Sequence, residues 1–151
     1  MESKASCWYF AYGSNMYTDQ IQRRVCRQHI EWKVGYLRDH KLVFNKPASD
    51  GTGYANIMLQ KGSTVYGVLY KLTEKEMEVL DRFEGSGYQR RELKITVEEN
   101  RQVTAYVYIA LQTMDGLLPR ADYLERIIKG AKEHHLPQYY IQELEQLPRT
   151  S

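Results

Sequence analysis

Apolar and polar positions follow two different periods along this chain, and the changes of period mark out its elements. Residues 7–12 (CWYFAY) form an unbroken apolar run, as in a strand covered on both faces. The run breaks at Gly13-Ser14-Asn15, and Thr18-Asp19 then offers an N-cap and an acidic first turn for a helix reaching about Arg27. Residues 31–37 and 40–45 read as two short strands, and 46–53, with Pro47, Asp50, Gly51 and Gly53, as a loop. Two more strands are expected over 54–59 and 64–72, joined at Lys61-Gly62-Ser63. Thr73-Glu74-Lys75-Glu76 has the spacing of a capping box, opening a helix through Glu84 with Gly85 as its stop. Residues 88–98 and 102–111 alternate in polarity around Asn100, which predicts a hairpin. After a loop at 117–119, residues 121–135 carry the stripe of an amphipathic helix. Leu136-Pro137 divides it from a last short helix over 138–147.

Six or seven strands of mixed order with three or four helices make an α+β layout, whose sheet is expected to curl or close in part into a barrel. No internal repeat, low-complexity tract or Pro/Gly-rich linker divides the 151 residues, so one domain over 1–151 is expected. A chain of that length buries about 68–70% of its unfolded surface, enough for a core with a pocket cut into it.

Composition narrows the function. Lys and Arg total 21 against 19 Asp and Glu, interspersed, which argues against a nucleic-acid partner or an anionic membrane. No apolar run approaches the roughly 20 residues that span a bilayer. Met1-Glu2-Ser3-Lys4 lacks the apolar stretch of a signal peptide. Two cysteines, Cys7 and Cys26, are too few for a disulfide framework, and reduced thiols in the cytoplasm are the simpler expectation. Tyrosine stands out, with 13 residues against 3 Phe and 2 Trp. A ring with a polar tip suits a half-polar ligand cavity, and suits an ordinary sheet as well.

Two places can carry chemistry. At Tyr12-Gly13-Ser14-Asn15-Met16 a buried strand turns sharply into a helix, leaving backbone N–H groups unpaired and aimed one way. Such a turn can hold a carboxylate or an oxyanion, with Gly13 allowing close approach; a plain strand-to-helix turn would share the pattern. The second is Glu84. Met77, Leu80 and Glu84 fall on one helical stripe, so a carboxylate sits where the pattern wants an apolar side chain. Desolvation and the helix C-terminus both push its pKa toward the range of a proton carrier; a frayed, solvated last turn is the alternative. Asp81 is the competing carboxylate.

Other residues fare worse. His134 and His135 point about 100° apart on a helix and do not readily share a metal, so no metal site is expected. Neither cysteine has a C-x-x-C partner. Gly51-x-Gly53 lacks a third glycine and the strand-to-helix setting of a dinucleotide site. Arg90, Arg91 and Lys94 read as a solvated strand face. Tyr106 and Tyr108 share one face of their strand, where they can line a cavity or pack in a half-buried sheet.

Tyr9-Phe10-Ala11-Tyr12-Gly13-Ser14-Asn15-Met16 resembles the signature loop of the γ-glutamylcyclotransferase family. Leu80-Asp81-Arg82-Phe83-Glu84-Gly85 resembles the segment with that family's catalytic glutamate, and Gly87-Tyr88 follows in place. Tyr123, Ile127-Ile128-Lys129-Gly130-Ala131-Lys132-Glu133 and Leu136-Pro137 resemble the C-terminal part of members acting on γ-glutamyl amino acids. The matches run in order from about residue 8 to residue 145. The resemblance implies a small mixed β-barrel flanked by helices. It implies an enzyme that cyclises a γ-glutamyl group to 5-oxoproline without metal, nucleotide or other cofactor. Glu84 then corresponds to the acid/base, Gly13, Ser14, Asn15 and Met16, next to Tyr12, to the substrate-holding loop, and Tyr108 to a pocket tyrosine. Ser14-Asn15 favours γ-glutamyl amino acids over γ-glutamylamines; glutathione, a γ-glutamyl-protected biosynthetic intermediate and a non-catalytic ligand-binding module stay open. Residues 46–53 depart from the family pattern. That loop and the C-terminal tail could each cover the pocket or form a homodimer contact.

Overall fold

A computed structural model describes residues 5–151; residues 1–4, on which the expectation about a signal peptide falls, lie outside the described residues. Five strands form the sheet: β1 (Ser6–Ala11), β2 (Trp32–Pro47), β3 (Gly53–Thr73), β4 (Tyr88–Thr96) and β5 (Gln102–Ala110). They close into a barrel in the order β1-β3-β2-β4-β5. The pairings are antiparallel except β1 with β5, which runs parallel. Around the barrel lie α1 (Thr18–Val25), α2 (Glu74–Glu84), α3 (Ala121–Glu133) and α4 (Gln138–Glu145).

The barrel has fewer strands than the six or seven expected, because two apparent breaks are bulges inside long strands. Asp39 takes a left-handed φ of 60°, and the β2–β3 register shifts between Arg38 and His40. Opposite it, the Gly62 N–H donates to Asp39 Oδ1 at 3.0 Å, so the two irregularities brace each other. Pairing continues on both sides, merging residues 31–37 with 40–45 and 54–59 with 64–72. The loop expected over 46–53 shrinks in the same way: β2 runs to Pro47 and β3 starts at Gly53. A second register shift, between Val43 and Lys46, lies beside the functional site.

The signals for α2 are realised in full. Thr73 Oγ1 accepts from the Glu76 N–H at 3.1 Å, and Glu76 Oε1 accepts from the Thr73 N–H at 2.9 Å. Gly85, at a φ of 75°, stops the helix. The α2 stripe places Met77 and Leu80 in the core with Phe10 and Leu69 from the barrel and Leu124 and Ile127 from α3, all fully buried.

Between β1 and α1 the chain makes a 3₁₀ turn over Ser14–Met16, and α3 fixes it in place. A Cβ at Gly130 would lie 2.4 Å from the Met16 carbonyl carbon and 2.5 Å from the Tyr17 nitrogen, so only glycine lets the helix come this close. Tyr70 Oη donates to the Met16 carbonyl at 3.1 Å, and the Thr18 N–H donates to Glu133 Oε1 at 3.0 Å. Barrel and helix thus hold the turn from two sides. Gly130→Ala is expected to lower stability by about 1–3 kcal/mol in urea denaturation, the usual cost of overpacking a filled interior. A loss below about 0.5 kcal/mol would mean that α3 yields freely.

Candidate functional site

The last turn of α2 carries the apolar stripe one step past Leu80 to Glu84, whose side chain is only 17% exposed. It faces a cavity of about 40 Å³, room for roughly three water molecules. Tyr12, Gly13, Ser14, Asn15 and Tyr108 line the same cavity, so six of the residues singled out in the sequence meet there. Met16 does not reach it: the residue is fully buried beneath the turn, its Cβ against Gly130 and its carbonyl taken by Tyr70.

Asn15 organises the polar side of the site. Its Nδ2 donates to Tyr9 Oη at 3.0 Å, while its Oδ1 accepts from Gln20 Nε2 at 2.9 Å and Arg24 Nη1 at 3.2 Å. Gln20 also donates to Ser14 Oγ at 2.8 Å. Gln20 and Arg24 stand one turn apart on α1 and so reach down to the same spot. Arg24 Nη1 lies 3.5 Å from Glu84 Oε2, and its guanidinium stacks over Phe83 at 4.9 Å.

Tyrosines form most of the remaining wall. At the second β2–β3 register shift Ala55 loses its strand partner, and Tyr88 Oη takes its carbonyl at 2.7 Å. The Ala55 N–H donates to Tyr123 Oη at 3.0 Å, which leaves the Tyr123 hydroxyl hydrogen without a protein acceptor among the described residues. Tyr12 Oη donates to the Tyr108 carbonyl at 2.6 Å. Burial holds the hydroxyls of Tyr9, Tyr12, Tyr88, Tyr108 and Tyr123 protonated, well above the usual phenol range. They serve as neutral hydrogen-bonding groups.

Charge is different at Glu84. Burial raises its pKa above the ordinary carboxylate value, Arg24 and Lys46 draw it back down, and Asp81 pushes it up. Asp81 itself accepts from Tyr108 Oη at 2.6 Å and from Arg90 Nη2 at 2.8 Å, so both its oxygens are engaged outside the cavity. Arg90 therefore does not belong to a solvated face with Arg91 and Lys94. It is half-buried and bridges Asp81 and Glu74. Burial and Glu74 push the Cys7 thiol up to about 11, which keeps it protonated at neutral pH. His134 is buried at the end of α3 with Nδ1 2.9 Å from the Gly130 carbonyl. Among the described residues no group of three His, Cys, Asp or Glu stands close enough to hold a metal.

Tyr9, Tyr88 and Tyr123 stood inside matched segments, and the excess of tyrosine was their only physical signal. Ala55, Gln20 and Arg24 gave none, since their place depends on a bulge and on how α1 is docked; Lys46 was marked only as the first residue of the segment 46–53 that departs from the family pattern.

Comparison with known proteins agrees with the fold. The family model described as gamma-glutamyl cyclotransferase, AIG2-like, matches residues 9–140. Gamma-glutamylcyclotransferases of Bos taurus and Homo sapiens are each 33% identical over 144 residues, covering 90% of this chain and 76% of theirs. A solved structure named gamma-glutamyl cyclotransferase superposes with a TM-score of 0.89 at 31% identity, over 97% of this chain and 90% of that one.

The raised pKa of Glu84 has a consequence for stability. Between the ordinary value and the raised one, the folded state binds more protons than the unfolded chain, so stability falls as pH rises through that window. Glu84→Gln removes the loss. Its melting temperature is expected to exceed the wild type's at pH 7.5, with the gap closing toward pH 4. An equal gap at both pH values would show that Glu84 is not desolvated.

Proposed function

The chain belongs to the gamma-glutamyl cyclotransferase, AIG2-like family, and on that premise we propose that it cyclises the γ-glutamyl group of a γ-glutamyl amino acid to 5-oxoproline, with Glu84 as proton carrier. The observation that carries the reading is a single buried carboxylate with a raised pKa, facing a cavity bounded by the Gly13–Asn15 backbone.

The reaction needs no external reactant. The substrate's α-amine nitrogen attacks its own γ-carbonyl carbon, the new C–N bond closes a five-membered lactam, and the C–N bond to the attached amino acid breaks. Glu84 takes a proton from the attacking amine and returns one to the departing nitrogen, so proton and atom counts balance. Its raised pKa suits both halves, and such positioned proton transfer is worth about 10²–10⁴-fold. Holding amine and carbonyl in contact supplies roughly 7–11 kcal/mol more. The cavity marks where the reacting end of the glutamyl group meets Glu84, and the rest of the substrate extends outside it. The first N–H groups of the 3₁₀ turn have no partner within it and meet the α-carboxylate or the oxyanion. Tyr123, its hydroxyl hydrogen unspent, is a further donor. The reading places the enzyme in the cytoplasm, in keeping with the unpaired Cys7 and Cys26.

Wild-type protein is expected to release 5-oxoproline from γ-glutamyl-alanine, measured by mass spectrometry, and folded Glu84→Gln to lose at least about 10²-fold in kcat. Full activity in that variant would refute the mechanism. No release from γ-glutamyl-alanine, with release from γ-glutamylamines or glutathione, would reassign the substrate; silence on all of them would favour a binding module. Because Glu84 must be ionised to accept the proton, kcat/KM is expected to fall on the acid side at a pH above the ordinary carboxylate range. Arg24→Met, which removes a charge that lowers this pKa, is expected to move the acid limb to higher pH.

A further inference from the structure

We propose that Lys46 is the residue that selects the leaving group, by binding the carboxylate of the amino acid released; the inference rests on the cyclisation reading above. Lys46 is half-buried at the end of the register shift that also frees Ala55. Its ammonium lies 5.7 Å from the ring centres of both Tyr54 and Tyr88, and Tyr88 is part of the cavity wall. Gly87 makes room for it: a Cβ there would stand 2.6 Å from Lys46 Cε and 2.8 Å from Nζ.

The head group so placed has no counter-ion. Among the described residues no carboxylate comes within 4.0 Å of it, and its one hydrogen bond is a long 3.4 Å contact to the Pro47 carbonyl. A half-buried cation wedged between two aromatic faces, with one weak acceptor, still has donors to satisfy. Arg126 is the competing cation: its guanidinium lies 5.9 Å from the Tyr123 ring centre, and its buried Nε has no hydrogen-bond partner among the described residues. Arg24, by contrast, is occupied: it serves Asn15, Glu84 and Phe83.

Substrate chemistry supplies the missing partner. In a γ-glutamyl amino acid one carbon separates the departing nitrogen from the second carboxylate. Glu84 must reach that nitrogen, so the carboxylate falls within a few ångströms of Glu84. Lys46 is near enough for its charge to act on Glu84. A γ-glutamylamine has no such carboxylate and gains nothing from Lys46.

The test compares γ-glutamyl-alanine with γ-glutamyl-ethylamine by the ratio of their kcat/KM values. Lys46→Met, which keeps the stem and removes the charge, is expected to lower that ratio about tenfold, in line with the loss of one charge-assisted hydrogen bond. Gly87→Ala, which drives the ammonium from its place without deleting it, is expected to lower the ratio in the same sense. Equal losses on both substrates would reduce Lys46 to a structural role and overturn the proposal. So would a ratio that collapses in Arg126→Met and not in Lys46→Met. Calorimetric binding of the two compounds to Glu84→Gln, with and without Lys46→Met, gives a readout that needs no turnover. Preference for the alanine compound that survives loss of Lys46 would overturn the selector role while leaving the cyclisation reading intact; wild-type protein that cyclises neither compound would overturn that reading instead.

Discussion

Glu84 stands where three conditions disfavour charge. It ends an apolar stripe, it lies at the negative pole of α2, and tyrosine rings narrow the cavity in front of it. A carboxylate placed there is retained only because the surrounding structure compensates it in part. Arg24 and Lys46 both draw its pKa down, yet neither forms a short ion pair with it. A tight pair would bring the proton affinity back to that of a surface carboxylate. Complete isolation would leave the group permanently protonated. The distances observed hold it between those limits.

That balance depends on Asn15 more than on any charged residue. Its amide ties the 3₁₀ turn to Tyr9 on one side and to Gln20 and Arg24 on the other. The guanidinium therefore keeps its station near Glu84 by virtue of a neutral group. Behind the turn, Gly130 lets α3 press directly on the backbone, which converts a short loop into a rigid wall.

Local signals in the sequence reported local structure well. The capping box at Thr73, the stop at Gly85 and the stripe through Met77, Leu80 and Glu84 all reappear, because each depends on residues within two turns of one another. The turn at Gly13-Ser14-Asn15 was legible for the same reason. Signals failed where the outcome depends on a partner strand. The gap between residues 37 and 40 and the join at Lys61-Gly62-Ser63 read as breaks between short strands, yet Asp39 and Gly62 are each carried inside a long strand by the other. Met16 sat within a motif whose other members face the cavity, and only the docking of α3 turns it inward. Arg90 alternated correctly for a solvated face, but α2 packs over that face with Asp81 and Glu74 waiting.

The parallel pairing of β1 with β5 has a temporal consequence. Trp8 and Tyr9 find their partners at Ala105 and Tyr106, and the turn that follows β1 is seated by Gly130. As the ribosome delivers the chain, the turn over Ser14–Met16 emerges well before the helix that seats it. Contacts this distant along the chain place the molecule among slower-folding topologies. A nascent fragment ending before α3 lacks both Tyr123 in the cavity wall and the Gly130 contact behind the turn, so the cavity is completed only when that helix joins the barrel.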